Sequence, residues 1–500
     1  MTAARQQEGG EVAAPEVART KFREPAATSY DVIVIGAGSA GLSAASIANT
    51  LGARVALLER DRFGGECLFT GCIASKALLR VARAAQQIHT AAELGLAASL
   101  APVDLGAVAD YVQRAVMAVY TESDAPELYA RRGVDVVVGP ARFVSPTALT
   151  INDQQLSARR FLICTGSHPI VPPIPGLAEA GFLTNETIFS ARTLPARLLV
   201  IGGGPMGCEL GQAFARLGSR VTLVQRAERL LPRDEPAASA VLAARLRAEG
   251  VTIHTRAEVR QIAPREGAKS AVVATADGSI EVEADEILIA VGRAPTVDAL
   301  QLAAAEVATT EQGITTNETL RTSNPRIYAV GDVIGGYRYT HAAVRQARTA
   351  VRNMLYPGSQ RVDEHVMPWT TFTEPEVARV GLSEAEARAR HGAGVRVYTQ
   401  PMRGVDRAVT EDETEGFVQL VSDGSGKLYG ATVVGPSAGE FINVLALAME
   451  HNIGLSQLAR VVHVYPTVAL SIQQAAGQYS AERAAGNRLF RLLRRRGQRG

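Results

Sequence analysis

The sequence predicts an α/β fold, and three observations carry that expectation. Near the N-terminus a short apolar strand runs into a glycine-rich turn and then a helix of small residues. The same succession recurs from residue 198 with the same internal spacing. Beyond residue 363 the glycine turns stop and strand-like stretches (Phe417–Val421, Ala431–Val434) precede the helix-like Glu440–Glu450, an α+β pattern. A chain of 500 residues has room for about three units of that kind.

The first succession reads YDVIVIGAGSAGLSAASIANTLGARVALLER over residues 30–60. Ile33, Val34 and Ile35 form a buried strand, and Gly36, Gly38 and Gly41 make GxGxxG. The first glycine permits the tight turn, the second lets backbone approach a pyrophosphate, and the third lets helix and strand pack closely. The helix N-terminus then offers free N–H groups to the phosphates. A second strand, Val55–Leu58, ends at Glu59, placed to accept hydrogen bonds from an adenosine ribose, with Arg60 beside it. The segment therefore predicts a Rossmann-like dinucleotide-binding domain.

The second copy, LLVIGGGPMGCELGQAFARLGSRVTLVQR, carries Gly202, Gly204 and Gly207. Gly36 to Glu59 is 23 positions and Gly202 to Gln225 is also 23, so Gln225 fills the slot of Glu59. An acid there binds the 2′-hydroxyl of NAD and repels a 2′-phosphate. Gln225 removes that charge, and Arg226 and Arg229 add positive charge, which favours NADPH over NADH.

Between the two copies lies GGECLFTGCIASKALLRVARAA, residues 64–85. From Cys72 onward the pattern is helical, with Ile73, Leu78, Leu79 and Val81 on buried faces. Cys67 lies five positions earlier, about 140° off the face of Cys72 on a continuous helix. Cys67 is therefore expected in an irregular lead-in, with Gly65 and Gly71 supplying the freedom to fold it back. A thiol at a helix N-terminus has a lowered pKa and is reactive. With four cysteines in all (Cys164 and Cys208 being the others), the chain is no disulfide scaffold, and the close pair reads as a redox site.

These motifs together resemble the FAD-dependent pyridine nucleotide–disulfide oxidoreductases of class I, over roughly residues 30–478, and within them the mercuric reductase-like and dihydrolipoyl dehydrogenase-like members. GGECLFTGCIASK resembles the family's redox segment. The resemblance implies FAD and NADPH (or NADH) as cofactors, a Cys67–Cys72 redox disulfide, Cys67 as the thiol that meets the acceptor and Cys72 as the thiol against the flavin. It implies Lys76 near flavin N5 with Glu209 as its partner. GPARF (139–143) would present the Ala141 backbone to FAD, and ICTGS (163–167) gives the turn with Thr165 and Gly166. AVGRAPT (290–296) holds Gly292, and IYAVGDV (327–333) places Asp332 on a flavin ribityl hydroxyl. Thr340 and His341 sit where the family approaches the flavin ring. WTTFTEPEVARVGLSE (369–384) resembles the opening of a C-terminal dimerisation domain. The implied organisation is a flexible tail at 1–29, an FAD domain at 30–180 and 291–362, a nucleotide domain at 181–290, a dimerisation domain at 363–480 and a basic tail at 481–500. A homodimer follows, since the family completes each active site across the interface.

The pattern breaks near its end. The family's disulfide reductases carry a His before the proline of HxHPTxxE and a Glu that orients it. This chain has HVYPTVAL at 463–470, placing Tyr465 and Leu470 in those positions and leaving His463 two residues away. A phenol is a poor base at neutral pH. Mercuric reductases resemble this chain in that tyrosine, but also carry a vicinal cysteine pair near the C-terminus, and no cysteine follows Cys208 here. Glu66 replaces a family Thr and would raise the thiol pKa values; Ala74 replaces a Pro. The expected function is NAD(P)H-dependent reduction of a small disulfide, metal–thiolate or similar electrophile, with Cys67, Cys72 and Tyr465 catalytic. Dihydrolipoyl dehydrogenase and a diaphorase-like, quinone-reducing or redox-sensing flavoprotein are the alternatives.

Composition narrows the partners. Apolar residues make up 47% and charged residues 20%, as in a folded soluble protein. A net charge of +2 argues against a nucleic-acid binder. No apolar run is long enough to span a membrane, no resident metal site is expected, and a reducing, cytoplasmic setting is the default. At the C-terminus, Arg488, Arg491, Arg494, Arg495, Arg496 and Arg499 interleave with leucines and Phe490. This reads as a solvated helical end, or as a weak contact for an acidic surface.

Overall fold

The first apolar run becomes the central strand of a seven-stranded sheet. In the computed structural model, which describes residues 27–486, Ser29–Ile35 lies between Val55–Glu59 and Gln154–Ile163, parallel to both. Val34 stands opposite Leu57 on one side and Leu162 on the other, all three wholly buried. Such a strand reads as a continuous apolar run because both of its faces are covered. Asp135–Val138 extends the parallel sheet at one side, and an antiparallel pair, Ala148–Ile151 and Arg142–Ser145, extends it at the other. The seventh strand, Ile327–Ala329, comes from far along the chain and pairs in parallel with Phe161–Ile163.

Helix α1 (Ser39–Thr50) follows the first glycine turn and packs on helix α5 (Thr340–Leu355). Both present alanines at the contact, Ala44, Ala45 and Ala48 against Ala343, Ala347 and Ala350. Two further helices, α2 (Gly65–Phe69) and α3 (Cys72–His89), carry the cysteine segment.

Residues 197–289 build a second parallel sheet of four strands, in the order Thr252–Thr255, Arg220–Gln225, Arg197–Ile201, Glu286–Ile289. Its glycine turn leads into helix α4 (Pro205–Leu217). A three-stranded antiparallel ribbon spanning residues 258–284 is attached to it. The C-terminal unit is a five-stranded antiparallel sheet, ordered Pro368–Thr371, Glu376–Gly381, Leu428–Gly435, Phe417–Ser422, Arg396–Pro401, and covered by helices that include α6 (Leu470–Gly486). The architecture is α/β with two Rossmann-like sheets and a separate C-terminal α+β unit, as the sequence predicts.

The three units are bolted together by charge. Arg216 on α4 is almost wholly buried, and its guanidinium meets Glu249 at 2.7 and 2.9 Å and also Glu374 of the C-terminal unit. Gln212 adds two bonds to the Glu374 backbone, at 2.7 and 2.8 Å. Arg83 of α3 reaches Glu374 as well. A buried guanidinium needs such partners, because an unpaired charge away from water is costly.

Among the described residues no helix is long and apolar enough to cross a membrane, and no cluster of His, Cys, Asp or Glu could hold a metal ion. The Arg-rich end from Arg488 and all but the last three residues of the expected N-terminal tail lie outside the described residues.

Candidate functional site

The two glycine turns have the same construction. Gly36 has φ +101°, and a Cβ there would stand 2.5 Å from the Cys164 carbonyl oxygen. Gly202 has φ +115°, and its Cβ would stand 2.3 Å from that of Ala290. Gly41 and Gly207 pack against the oxygens of Gly36 and Gly202 so closely that a Cβ would fall within 2 Å of them. Each turn thus lets a helix N-terminus abut the end of its strand, with no side-chain cap on either helix. Glu59 closes the first turn: its carboxylate accepts the Ala37 and Asp61 N–H groups at 2.6 and 2.9 Å. Burial pushes its pKa up while those bonds oppose the rise. Gln225 folds back the same way but weakly, accepting the Gly203 N–H at 3.4 Å.

A single cavity of about 1280 Å³ gathers most of the expected residues. Gly36, Gly38, Glu59, Arg60, Cys67, Cys72, Lys76, Ala141, Thr165, Gly166, Glu209, Asp332, Thr340 and His341 all line it. Gly41 sits behind the turn. Gly202, Gly204, Gly207, Gln225 and Arg226 surround the second turn and are not on its wall, nor is Gly292. Tyr465 is not on that wall either: it is exposed in the C-terminal unit and donates its hydroxyl proton to Asp406. Arg60 turns its guanidinium to Asp61 at 3.1 Å. Arg229 is held by Glu228 at 2.8 Å and by the Pro232 carbonyl at 3.0 Å, which leaves exposed Arg226 to supply the positive charge beside Gln225.

The cysteine segment departs from the irregular lead-in that its spacing suggests. Cys67 lies within α2, a helix of five residues that stops at Thr70, and Cys72 is the first residue of α3. Gly71 makes the break possible: a Cβ there would be 2.9 Å from the Glu66 oxygen and 3.0 Å from the Cys67 Cα. Two helical turns thereby come face to face with one thiol on each. Both thiols are free. The Thr340 hydroxyl, at the start of α5, donates to Cys67 Sγ at 3.0 Å and lies 3.8 Å from Cys72 Sγ.

This arrangement splits the acidity of the pair. The Cys72 thiol, Thr340 and Ser39 all hydrogen-bond to Cys67 and bring its pKa down to about 6, against the cost of burial. Cys72 is pushed up, first because it serves as that donor, then by burial and by the charge on Cys67. The pair therefore holds one proton between its two sulfurs at neutral pH. The expectation that Glu66 raises the thiol pKa values fails for Cys67, where these hydrogen bonds win. Glu66 is itself the perturbed group: burial, then opposition from Asp332, Cys72 and Glu186, lift it to about 7 although Arg293 opposes the rise. Its carboxylate meets Arg293 at 2.5 Å and Asn185 at 3.0 Å.

Lys76 Nζ meets Glu209 Oε2 at 2.8 Å and sits 4.4 Å above the Phe372 ring. The other Glu209 oxygen accepts the Phe372 N–H at 2.8 Å, so α3, α4 and the C-terminal sheet meet at this lysine. Thr165 Oγ1 donates to the Thr296 carbonyl at 2.7 Å, and Ser167 Oγ donates to Asp332 at 2.5 Å. Arg293 donates to that same Ser167 hydroxyl at 2.8 Å. Glu66, Arg293, Ser167 and Asp332 thus form one chain from the redox helix to the 331–334 turn. Arg293 and Ser167 stand inside motifs the sequence displays (AVGRAPT, ICTGS) and could have been singled out there; nothing in the sequence marks Asn185. His341 stacks on Tyr339 with ring centroids 5.5 Å apart, and its Nε2 meets the Pro368 carbonyl at 2.7 Å.

The pyridine nucleotide-disulphide oxidoreductase profile matches residues 30–347, and the dimerisation-domain profile of the same family matches 367–476. The chain belongs to the pyridine nucleotide–disulphide oxidoreductases. It is 36% identical to a mercuric reductase of Lysinibacillus sphaericus over 454 residues, covering 90% of this chain and 82% of that one. It is 35% identical to a dihydrolipoyl dehydrogenase of Thermus scotoductus over 456 residues, covering 90% and 97%. Among solved structures it is similar to LpdA from Mycobacterium tuberculosis (TM-score 0.82, 26% identity, 90% of this chain and 99% of that one). It is also similar to the HOCl-induced flavoprotein disulfide reductase RclA from Escherichia coli in its Cu(II) complex (TM-score 0.80, 26% identity, 90% and 100%). As a pyridine nucleotide–disulphide oxidoreductase the chain is an enzyme that uses FAD and NAD(P)H. The cavity fits the flavin nucleotide: a backbone cradle that a Cβ at Gly36 would fill, an uncapped helix N-terminus and a fixed carboxylate at Glu59 lie on the same wall as the thiols. The dimerisation domain supports a homodimer.

Proposed function

We propose that this enzyme uses NAD(P)H to reduce a small thiol-reactive electrophile, either a low-molecular-weight disulfide or a metal–thiolate, through a Cys67–Cys72 disulfide. The observation that carries the reading is the thiol pair itself. Its two sulfurs share the Thr340 hydroxyl, share one proton, and open on the cavity. Bound FAD supplies the two-electron link between nicotinamide and the thiols.

The chain's residues do the rest. Lys76, fixed by Glu209, places a positive charge on the wall beside the thiols. Asp332, fixed by Ser167, offers a carboxylate to the ribityl chain. The Cys67 thiolate, favoured by its hydrogen bonds, attacks one sulfur of the acceptor and expels the other as a thiolate, which takes a proton. Cys72 then displaces the bound half and reforms the Cys67–Cys72 bond, so that NAD(P)H, one proton and one disulfide become NAD(P)+ and two thiols. With a metal–thiolate the same two electrons reduce the metal and release its thiols. Tyr465 and Leu470, in place of a His–Glu pair, weigh against rapid dihydrolipoamide turnover, and the mercuric reductases among the relatives support an electrophile of the metal–thiolate class. On the nucleotide side, Gln225 with exposed Arg226 supports NADPH.

An anaerobic NADPH titration tests the reading. The pair's single proton can pass between its two sulfurs, so a long-wavelength thiolate–flavin absorbance is expected on two-electron reduction if bound flavin draws the thiolate charge from Cys67 to Cys72, with its loss in Cys72→Ser. Turnover of a mercuric–thiolate or a small disulfide is expected to vanish in Cys67→Ser. A flavin that bleaches with no such band, or a Cys67→Ser variant that reduces these acceptors normally, sinks the proposal.

A further inference from the structure

Glu66 is a carboxylate that the thiol route leaves without a task. It precedes Cys67 in α2 and lines the cavity together with both thiols. Its Oε2 meets the Arg293 guanidinium at 2.5 Å, and its Oε1 accepts the Asn185 amide N–H at 3.0 Å. Asn185 is almost wholly buried and also donates to the Thr70 carbonyl at 3.1 Å, where α2 ends. The carboxylate is therefore held in a fixed place beside the redox turn. Among the described residues Arg293 is the one cation paired with it, and Arg293 is shared: it donates to the Ser167 hydroxyl and carbonyl at 2.8 and 2.7 Å. That hydroxyl binds Asp332, so a second carboxylate stands on the same network. The other charges of the wall are engaged elsewhere or add to the negative side. Lys76 is paired with Glu209, Arg62 lies over the Phe69 ring, Arg338 donates to the Arg293 carbonyl, and Glu186 is a third carboxylate. Opening the disulfide adds a thiolate to this cavity, and a further negative charge favours the protonated form of a nearby carboxyl.

We infer that Glu66 takes up a proton when the Cys67–Cys72 disulfide is reduced and gives it up when the disulfide re-forms, so that this carboxyl carries the second of the two protons that the product thiols need. The inference rests on the thiol route proposed above. NAD(P)H brings two electrons and one proton. The electrons break the S–S bond, the proton stays on the sulfur pair, and Glu66 binds a second proton from solvent. When the acceptor disulfide is reduced, the two electrons leave the pair and the Cys67–Cys72 bond closes. The proton of the pair and the proton of Glu66 then make up the two on the product thiols. The Glu66 side chain is 29% exposed, which lets solvent reach it. With both thiols free, burial and then Asp332, Cys72 and Glu186 lift its pKa to about 7 although Arg293 opposes the rise; closing the disulfide removes the Cys72 charge and lowers it. The threonine that Glu66 replaces could not ionise at all.

The experiment is an infrared difference spectrum, reduced minus disulfide form, of the full-length FAD-loaded enzyme treated anaerobically with one equivalent of NADPH at pH 7, with new thiols counted by a thiol reagent. A protonated-carboxyl band is expected to appear on reduction, to shift in D2O, and to be lost in Glu66→Gln, which keeps the size of the side chain and one acceptor oxygen. In weakly buffered solution the wild type should take up to about half a proton from solvent, the share that a group of pKa about 7 holds at pH 7, and Glu66→Gln should lose most of that uptake. In the wild type alone the band should fade as pH rises above 7, a readout that depends on no variant. A band that survives in Glu66→Gln, equal proton uptake by the two proteins, or a wild type that forms thiols without the band each overturn the inference. So does a band of full size in Cys67→Ser, where no disulfide can open. If NADPH yields no new thiols in the wild type, the thiol route itself has failed and the inference falls with it.

Discussion

Replacing Thr340 by valine removes the one hydroxyl shared by both thiols while keeping a β-branched side chain at the start of α5. The Thr340 hydroxyl donates to Cys67 at 3.0 Å and so favours the thiolate. A hydrogen bond to a charged group contributes about 1.5–3 kcal/mol. One pKa unit corresponds to about 1.36 kcal/mol. Loss of the bond should therefore raise the apparent pKa of the dithiol by about one to two units from its starting point of about 6. The sign follows from the donor: it stabilises the deprotonated form, so its removal disfavours that form. At pH 7 the thiolate fraction would fall from about nine-tenths to about one-quarter for a rise of one and a half units. The assay is the pH dependence of alkylation by iodoacetamide of the NADPH-reduced enzyme, held anaerobic. A rate about fourfold lower at pH 7 and converging with wild type by pH 9 is the expected result. An unchanged midpoint would refute the reasoning, because it would mean the Thr340 contact does not govern the acidity of the pair.

Glu209→Gln leaves an acceptor for the Phe372 N–H but turns an amide toward Lys76; since Lys76 is 37% exposed and screened by water, the loss should be about 1–2 kcal/mol in urea unfolding, with slower flavin reduction by NADPH. Gln225→Glu restores the acid of the first turn to the second, and Arg226→Ala removes its exposed charge; each should move the ratio of NADPH to NADH kcat/KM toward NADH by about tenfold, and an unchanged ratio for both would mean the nucleotide is read elsewhere. Glu66 has its folded-state pKa raised from 4.5 to about 7, so its contribution to stability is present at low pH and is lost as pH rises between those values; wild type minus Glu66→Gln, measured by urea unfolding from pH 4.5 to 7.5, should slope downward across that window, and a flat difference would count against the raised value.

Much of this was legible in the sequence because it rests on local periodicity. The two glycine turns declare themselves: only glycine fits where a Cβ would strike the Cys164 or Ala290 carbonyl, and the spacing to Glu59 and Gln225 is set by one helix and one strand. The Lys76–Glu209 contact came from a family resemblance, and the two side chains do meet. What spacing could not give is folding at the level of single turns. Cys67 was expected in irregular chain, yet Gly64 and Gly65, both at positive φ, start a separate helical turn for it. Nor does charge counting reveal neutralisation: Arg229 counts as free positive charge until Glu228 is seen beside it. Contacts across sequence were the least visible. Asp406 lies 59 positions from Tyr465, and Asn185 lies 119 from Glu66, with no period or motif linking either pair.

The strand Ile327–Ala329 has a consequence for how the molecule comes into being. It completes the first sheet beside Phe161–Ile163, and Asp332 follows it directly. A chain emerging from the ribosome has made both cysteines and the first glycine turn within its opening 72 residues. It must then complete the entire second sheet before residue 329 can return to close the first. Domains emerge and fold from the N-terminus onward, but here the earliest one stays open until roughly two-thirds of the chain has been made. Through that interval the two thiols exist without Thr340, and hence without one of the hydrogen bonds that lower the pKa of Cys67. The growing polypeptide therefore carries its reactive sulfurs before their surroundings are complete, and the last of those surroundings arrives with residue 340.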